Sequence, residues 1–475
     1  GDVYKRQFYL YLIMTKSAEK LYMSYAVKNS EGAALMPSYI IRSMRKMFSH
    51  CLKLSYKDTA QQNSYVTIPR AANSFDNTEI AANVDEDIID SLTGGRLVGS
   101  VTSFENFAEC PLRYYLRYGV DLKEREEFTF SPVNFGVVLH AVIREVCDEI
   151  KKNGESYYLI SEEKRREMVK RSVAAITDIY QNSILKDSSR NSFMIKRMED
   201  LADRTVWAMG EQLKCGDFVP FVFEHKFNME VGDGDRKQLM SGTIDRVDIC
   251  ENGTDVYVRI IDYKTGKKDF NIVKTYYGID IQLMVYMEAA MKLVAKMRPG
   301  KNVIPAGVFY YNISDPIVSA TTESAEEIED KIKGELRLKG MVNSDKDIAE
   351  KMDNTEGTSL NIPVSRKADG GFDSRRSKVM NTEQFNILGR FVDVRAIDTA
   401  DRIAGGDIRR SPYKDGQFSS CDRCPYGAVC GFSVDLPGCN YRKLKKFDDE
   451  VLWNNIKEGV DENGKKMDTG AEERD

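Results

Sequence analysis

Two largely apolar runs near the middle of the chain, Leu239–Ile249 and Val256–Tyr263, carry aspartates into otherwise hydrophobic stretches, Asp245 in the first and Asp262 in the second. Their length and β-branched content predict strands. The first run holds Gly242-Thr243-Ile244-Asp245-Arg246, and the second leads through Ile261 into Asp262-Tyr263-Lys264-Thr265-Gly266. A hard cation such as Mg²⁺ or Mn²⁺ takes a few carboxylate oxygens and keeps several waters, one of which can act as a nucleophile. Asp245 and Asp262 would supply those oxygens. Lys264 follows Asp262 by two residues, so on a strand both side chains project to one face. There the ammonium can lower the pKa of an attacking water or balance charge in a phosphodiester transition state. Taken alone, an Asp-x-Lys triplet is also met as a surface pair closing an ordinary strand.

Further strands are predicted at Val219–Met229 and Ile304–Tyr311, with a helix over about 281–296 before the last of them. Upstream, Phe104, Phe107, Leu112, Tyr115 and Leu116 recur at helical spacing behind Ser103 as N-cap. A second helix covers about 134–152, and a long charged helical stretch runs to about 213. Strands with helices on both sides in sequence argue for an α/β sandwich. Residues 55–97 read as a polar linker, with a boundary near 98. Residues 315–380 read as an insertion of helices and loops. The chain beyond 443 reads as a solvated tail, disordered from 461. Residues 1–54 hold a strand-like run at Glu19–Tyr25 and an amphipathic helix over 37–47, the end of some preceding domain. Gly1-Asp2-Val3-Tyr4-Lys5-Arg6-Gln7 resembles translated adapter read-through, so the natural chain is expected to extend upstream.

At 475 residues and 42% hydrophobic the chain can bury a large core, and a net charge of −5 gives no global basic signature for nucleic acid. Any DNA contact must come from local patches. The early apolar run Phe8–Met14 is too short for a membrane span and lacks a cleavage site behind it. Gly266-Lys267-Lys268 mimics the end of a phosphate loop. It has no glycine five residues earlier and no Ser or Thr after Lys267, so an ATP site of that type is rejected.

Gln282 and Tyr286 lie four apart, on one face of the expected helix. They could hold the lysine or a DNA phosphate, or simply lie on a half-buried helix. His140 falls on an apolar helical face at Phe135-Gly136-Val137-Val138-Leu139-His140, as a hydrogen-bonded core residue or a metal ligand. Nine cysteines are too few for a disulfide scaffold in a chain this long. Cys421, Cys424 and Cys430 make a C-x2-C-x5-C loop that lacks one ligand of a four-coordinate site. Cys110, before Pro111, is the preferred fourth, and Cys439 is its rival. Zinc and an iron–sulfur cluster both suit such a loop, and either implies a reducing cell interior.

Together these pieces resemble the RecB-type nuclease family of the PD-(D/E)xK superfamily, in its iron–sulfur form. The matching segments are Cys110-Pro111-Leu112-Arg113-Tyr114-Tyr115-Leu116, Gly136 to His140, Gly242 to Asp248, Asp262 to Gly266, Gln282 to Tyr286, and the cysteine loop. All stand in family order across about 98–442. The resemblance implies a restriction-endonuclease-like central mixed sheet flanked by helices. It implies His140, Asp245, Asp262 and the Tyr263 carbonyl as ligands of Mg²⁺ or Mn²⁺, with Lys264 catalytic and Gln282 and Tyr286 orienting it and the DNA. Glu224 is implied as a further member of the acidic site. Cys110, Cys421, Cys424 and Cys430 would hold a 4Fe–4S cluster joining the two ends of the domain.

Within the family, the best fit is to the AddB branch rather than to short CRISPR-associated exonucleases. Gly340-Met341-Val342, Met352-Asp353, Ile362-Pro363-Val364, Gly406-Asp407-Ile408, Ser411-Pro412-Tyr413 and Asn440-Tyr441-Arg442 carry that fit, as does the Thr15–Tyr25 run. This implies a C-terminal fragment whose residues 1–54 are a remnant of a helicase-like region. It would be a bacterial cytoplasmic exonuclease domain that acts with an AddA-type partner in a heterodimer. Its substrate would be the 5′-ended single strand of a double-strand break repaired by homologous recombination, with ATP bound elsewhere in the full complex. A stand-alone DNA exonuclease of the CRISPR-associated type, or a non-catalytic cluster-stapled DNA-binding or partner-docking module, is the alternative.

Overall fold

Val256-Tyr257-Val258-Arg259-Ile260-Ile261 is nearly all apolar rather than alternating, and a strand buried on both faces demands that pattern. In the computed structural model it occupies the middle of a mixed seven-stranded sheet, with helices on each face. The structure describes residues 98–123, 132–179, 189–231, 238–319, 324–434 and 439–472, with short pieces within 11–16, 34–47 and 83–89. The chain divides into Gly1–Phe75 and Asp76–Asp475. In the first unit Tyr39–Met47 forms a helix, where helical periodicity is expected. Glu19–Tyr25 lies almost wholly outside the described residues, and so does most of the expected linker.

The second unit runs β1 (Val98–Ser100), α1 (Val101–Glu109), α2 (Pro132–Lys152), α3 (Glu162–Ile179), α4 (Ser189–Lys214), β2 (Val219–Val231), β3 (Gln238–Asn252), β4 (Asp255–Lys264), α5 (Gln282–Met297), β5 (Asn302–Asn312), β6 (Lys339–Asn343), β7 (Val379–Met380), α6 (Thr382–Ala404), β8 (Tyr413–Asp415), β9 (Phe418–Ser419), β10 (Arg442–Lys443) and α7 (Asp449–Glu472). Strand β3 pairs antiparallel with β2 on one edge; β1 and β4 share its other edge. From β4 the sheet continues through parallel β5, antiparallel β6 and parallel β7. Helices α2, α3 and α4 cover one face through Leu139, Val142, Ile143, Val169 and Ala202. Helices α1, α5 and α6 cover the other through Phe104, Leu283, Ala290 and Leu388. Burial of these apolar surfaces is the main stabilising term.

Three expectations need correction. Ser100, not Ser103, caps α1: its Oγ accepts from the Ser103 amide at 3.1 Å, and Ser103 Oγ donates to the Ser100 carbonyl at 2.7 Å. Residues 315–380 are not only helices and loops, because β6 and β7 extend the central sheet. Strands of five and two residues leave little periodicity to read. The expected tail instead forms α7, whose Leu452 and Ile456 are buried in the core beside α6. Their spacing of four puts both on one helical face, although charged residues dominate the composition around them.

A buried ion group fixes the middle of the sheet. Asp248 accepts from Arg246 Nε and Nη2 at 2.7 and 2.6 Å, and from Arg259 Nε at 2.8 Å. All three side chains are at most 1% exposed. Burial opposes the Asp248 charge, but the two guanidiniums outweigh it and hold the carboxyl below its usual range. Among the described residues, no helix is long and apolar enough to cross a membrane.

Candidate active site

Adjacent ladder positions bring two carboxylates face to face. Phe223 pairs with Arg246 and His225 with Ile244, so Glu224 stands across β2–β3 from Asp245. Glu224 has φ 47°, a left-handed conformation that a non-glycine residue enters at a cost. His140 on α2 completes the group, with Nδ1 3.4 Å from Asp245 Oδ1 and 3.7 Å from Glu224 Oε1. One ligand atom from each of these residues lies within 4.8 Å of the others. Burial disfavours the imidazolium, yet the Asp245 and Glu224 carboxylates push the His140 pKa up to about 10.

Like charges paired across strands repel. One imidazole nitrogen with carboxylate oxygens is a donor set suited to a divalent cation, which would relieve that repulsion. His140, Glu224 and Asp245 therefore fit such an ion.

Next to this group β4 ends in Asp262, Tyr263 and Lys264. Alternation turns Asp262 and Lys264 toward α5, while the Tyr263 ring meets His140 edge-on at 5.9 Å between centroids. The Tyr263 amide donates to Asp245 Oδ2 at 2.6 Å, locking that carboxylate to the strand end. Asp262 is outside the three-residue group, and its Oδ2 lies 2.6 Å from Lys264 Nζ. Burial and the Asp245 charge push the Asp262 pKa up to about 6, against the pull of Lys264. The four expected metal ligands are thus divided. His140 and Asp245 converge with Glu224, Asp262 pairs with the lysine, and Tyr263 contributes an amide hydrogen bond to Asp245.

Helix α5 orients the lysine. Lys264 Nζ donates to Gln282 Oε1 at 3.0 Å, and Gln282 Nε2 donates to Tyr286 OH at 2.9 Å. The Gln282–Tyr286 pair, four apart on one face, therefore holds the amine. Gly242 admits that helix: a Cβ there would lie 3.0 Å from Tyr286 Cε1 and 2.7 Å from the Phe227 ring.

Beyond the C-terminus of α1, Cys110, Cys421, Cys424 and Cys430 line one cavity with Leu112, Leu116, Pro412 and Phe432. Burial raises the thiol pKa values of Cys110, Cys421 and Cys430. Cys439 is buried but lies outside that lining. Polar contacts fix the two sequence ends around the cavity: Arg442 donates to the Ala108 and Glu109 carbonyls, and Tyr426 OH donates to Leu122 O at 2.9 Å. Four converging sulfur donors with apolar walls fit a tetrahedral metal or a cluster.

Sequence reasoning missed Glu105, whose carboxylate meets the start of α5. Its partner lies 176 residues away, so no local pattern announces it.

A strand-borne Asp-x-Lys, carboxylates on neighbouring strands and a helix that grips the lysine define a nuclease of the PD-(D/E)XK type. Residues 99–431 match the family model of the PD-(D/E)XK nuclease superfamily, and the chain belongs to that superfamily. Among curated proteins it is similar to the B-subunit of the ATP-dependent helicase/deoxyribonuclease of Caldanaerobacter subterraneus subsp. tengcongensis, at 32% identity over 100% of this chain and 46% of that protein. The corresponding B-subunits of Lachnoclostridium phytofermentans and Thermoanaerobacter sp. strain X514 are 30% and 29% identical over 99% and 98% of this chain, and 45% of each relative. The chain spans about half the length of the curated relatives it matches.

Proposed function

We propose that this chain is the metal-dependent deoxyribonuclease domain of an AddAB-type helicase–nuclease. It would degrade the 5′-ended single strand as an AddA-type partner unwinds a double-strand break for homologous recombination in the bacterial cytoplasm. The observation that carries the reading is the Lys264 amine held between Asp262 and Gln282, beside the His140, Glu224 and Asp245 group. Similarity along the whole of this chain to the B-subunits of ATP-dependent helicase/deoxyribonucleases supports the choice of complex.

His140, Glu224 and Asp245 would hold Mg²⁺ or Mn²⁺ within reach of Asp262. The ion would supply a Lewis acid for the scissile phosphate and an activated water. Lys264 places a positive charge where negative charge grows on the phosphoryl oxygens. Gln282 and Tyr286 keep that ammonium from turning away, and Asp262 pairs with it at 2.6 Å. The Tyr263 amide fixes the Asp245 rotamer. Cys110, Cys421, Cys424 and Cys430 would hold a 4Fe–4S cluster whose role is to join the ends of the domain.

The test is Mg²⁺-dependent degradation of end-labelled DNA by the anaerobically purified chain, co-produced with an AddA-type partner, comparing wild type with Lys264→Ala. Cutting by wild type alone, with equal iron content in both, supports the assignment. Equal behaviour of the two would leave this domain as a DNA-holding or partner-docking module. Iron and acid-labile sulfide in the protein, with visible absorbance, support the cluster; zinc in their place sinks it.

A further inference from the structure

Helix α5 begins without a local cap. Its N-cap residue is Ile281, whose side chain accepts nothing. The first amides of a helix need acceptors, and a carboxylate there also meets the positive end of the helix dipole. The acceptor comes from α1: Glu105 Oε1 receives the Ile281 amide at 2.9 Å and the Gln282 amide at 3.0 Å. Gln282 is the residue whose side chain holds Lys264.

We propose that Glu105 is a positioning residue for Lys264: its carboxylate caps α5 from the neighbouring helix α1 and thereby fixes Gln282, through which it sets the place of the amine. The inference rests on the nuclease reading of the Lys264 site.

The surroundings make the cap specific. Asp280, just before Ile281, accepts from Tyr310 OH at 2.7 Å and lies 3.0 Å from Lys268 Nζ. The Asp280 carbonyl accepts from Thr275 Oγ1 at 2.8 Å. The Tyr310 ring has Lys268 Nζ 4.5 Å and Lys264 Nζ 5.7 Å from its centroid. The turn into α5 is therefore pinned by Asp280 on one side and Glu105 on the other. Burial pushes the Glu105 carboxyl up to about 7, with Lys268 opposing that rise and Asp280 adding to it. Glu105 also lies in the helix that ends at Cys110, so one short rigid element joins the thiol cavity to the start of the lysine-holding helix.

The test uses the chain co-produced with an AddA-type partner, with Mg²⁺ and a single-stranded oligodeoxynucleotide, and with Glu105→Ala and Glu105→Gln made alone and in Lys264→Ala. Glu105→Ala should lower kcat about 3–10-fold, no more than removal of the Gln282 side chain through which it acts, with KM changed less than about threefold. Glu105→Gln, whose amide oxygen still accepts both N–H groups, should recover most of that loss. In the Lys264→Ala background the added cost should fall below about twofold, because the two residues act through one group.

Hydrogen exchange read by mass spectrometry gives an answer that does not depend on cleavage. Glu105→Ala should speed exchange of the Ile281 and Gln282 amides about tenfold or more and leave 255–264 unchanged. Wild-type exchange at those amides, or a loss of kcat that adds in full to Lys264→Ala, overturns the proposal. A wild-type chain that does not cut DNA overturns the nuclease reading instead, and the exchange result then decides whether Glu105 fixes Gln282.

Discussion

Glu224 and Asp245 oppose each other across an antiparallel ladder with His140 between them, and Glu224 adopts a left-handed backbone at φ 47° to do so. Repulsion and backbone strain act together at one position of β2, which marks it as selected for something other than stability. A cation that gathers the three donors would offset both.

Glu224→Gln removes one charge and keeps the shape. Calorimetric titration with Mn²⁺ should give an affinity about 10–100-fold weaker than wild type. Unchanged Mn²⁺ affinity would remove Glu224 from the site.

Lys264 and Gln282 should separate by magnitude. Lys264→Ala takes away a preorganised charge and should lower kcat about 10²–10³-fold. Gln282→Ala leaves the ammonium beside Asp262 and only loosens it, so the loss should be nearer tenfold. Single-turnover cleavage of a labelled oligonucleotide measures both, and a larger loss for Gln282→Ala would reverse the roles given to them.

The Asp248 group predicts a stability effect remote from chemistry. Asp248→Ala leaves the Arg246 and Arg259 guanidiniums buried without their partner, and denaturant unfolding should show a loss of about 3–5 kcal/mol. A loss below about 1 kcal/mol would mean that water reaches those guanidiniums.

Stability should also depend on Asp393, on α6. Burial, a hydrogen bond to Glu288 and the Glu288 charge raise its pKa to about 8. An acid that binds its proton more tightly when folded stabilises fully below its unfolded pKa of about 4, and that contribution is lost as pH rises toward 8. Asp393→Asn should therefore match wild type near pH 5 and melt higher than wild type near pH 8.5. Parallel melting curves across that window would refute the raised pKa.

The cysteine cavity separates two rivals. Cys110→Ser should lower bound iron or zinc in the purified chain to less than about half, whereas Cys439→Ser should leave it unchanged, because Cys439 does not line the cavity. The opposite result would exchange their roles.

The strands that carry Asp245, Asp262 and Lys264 were legible to within two or three residues, because continuous apolar runs and a two-residue repeat are local signals. Gln282 and Tyr286 were legible as a pair through helical spacing. The contact with Lys264 was implied by the family resemblance, and the fold supplies its geometry. Glu105 was not legible: nothing in Phe104-Glu105-Asn106 says that the carboxylate will cap a helix 176 residues on. The α1 cap was misplaced by three residues because Ser100 and Ser103 both precede helical spacing, and only hydrogen bonding separates them. The α7 helix was hidden by charge, its buried side being carried largely by Leu452 and Ile456.

In polymer terms, the cavity lined by Cys110 and Cys421 brings together points separated by most of the domain. A group bonded to both sulfurs would turn the unfolded chain into a ring of roughly 300 residues and remove on the order of 5 kcal/mol of its conformational freedom. Opening at any one strand would then leave the far ends of the domain still in register. A force applied between those two ends would load a closed loop rather than an open thread.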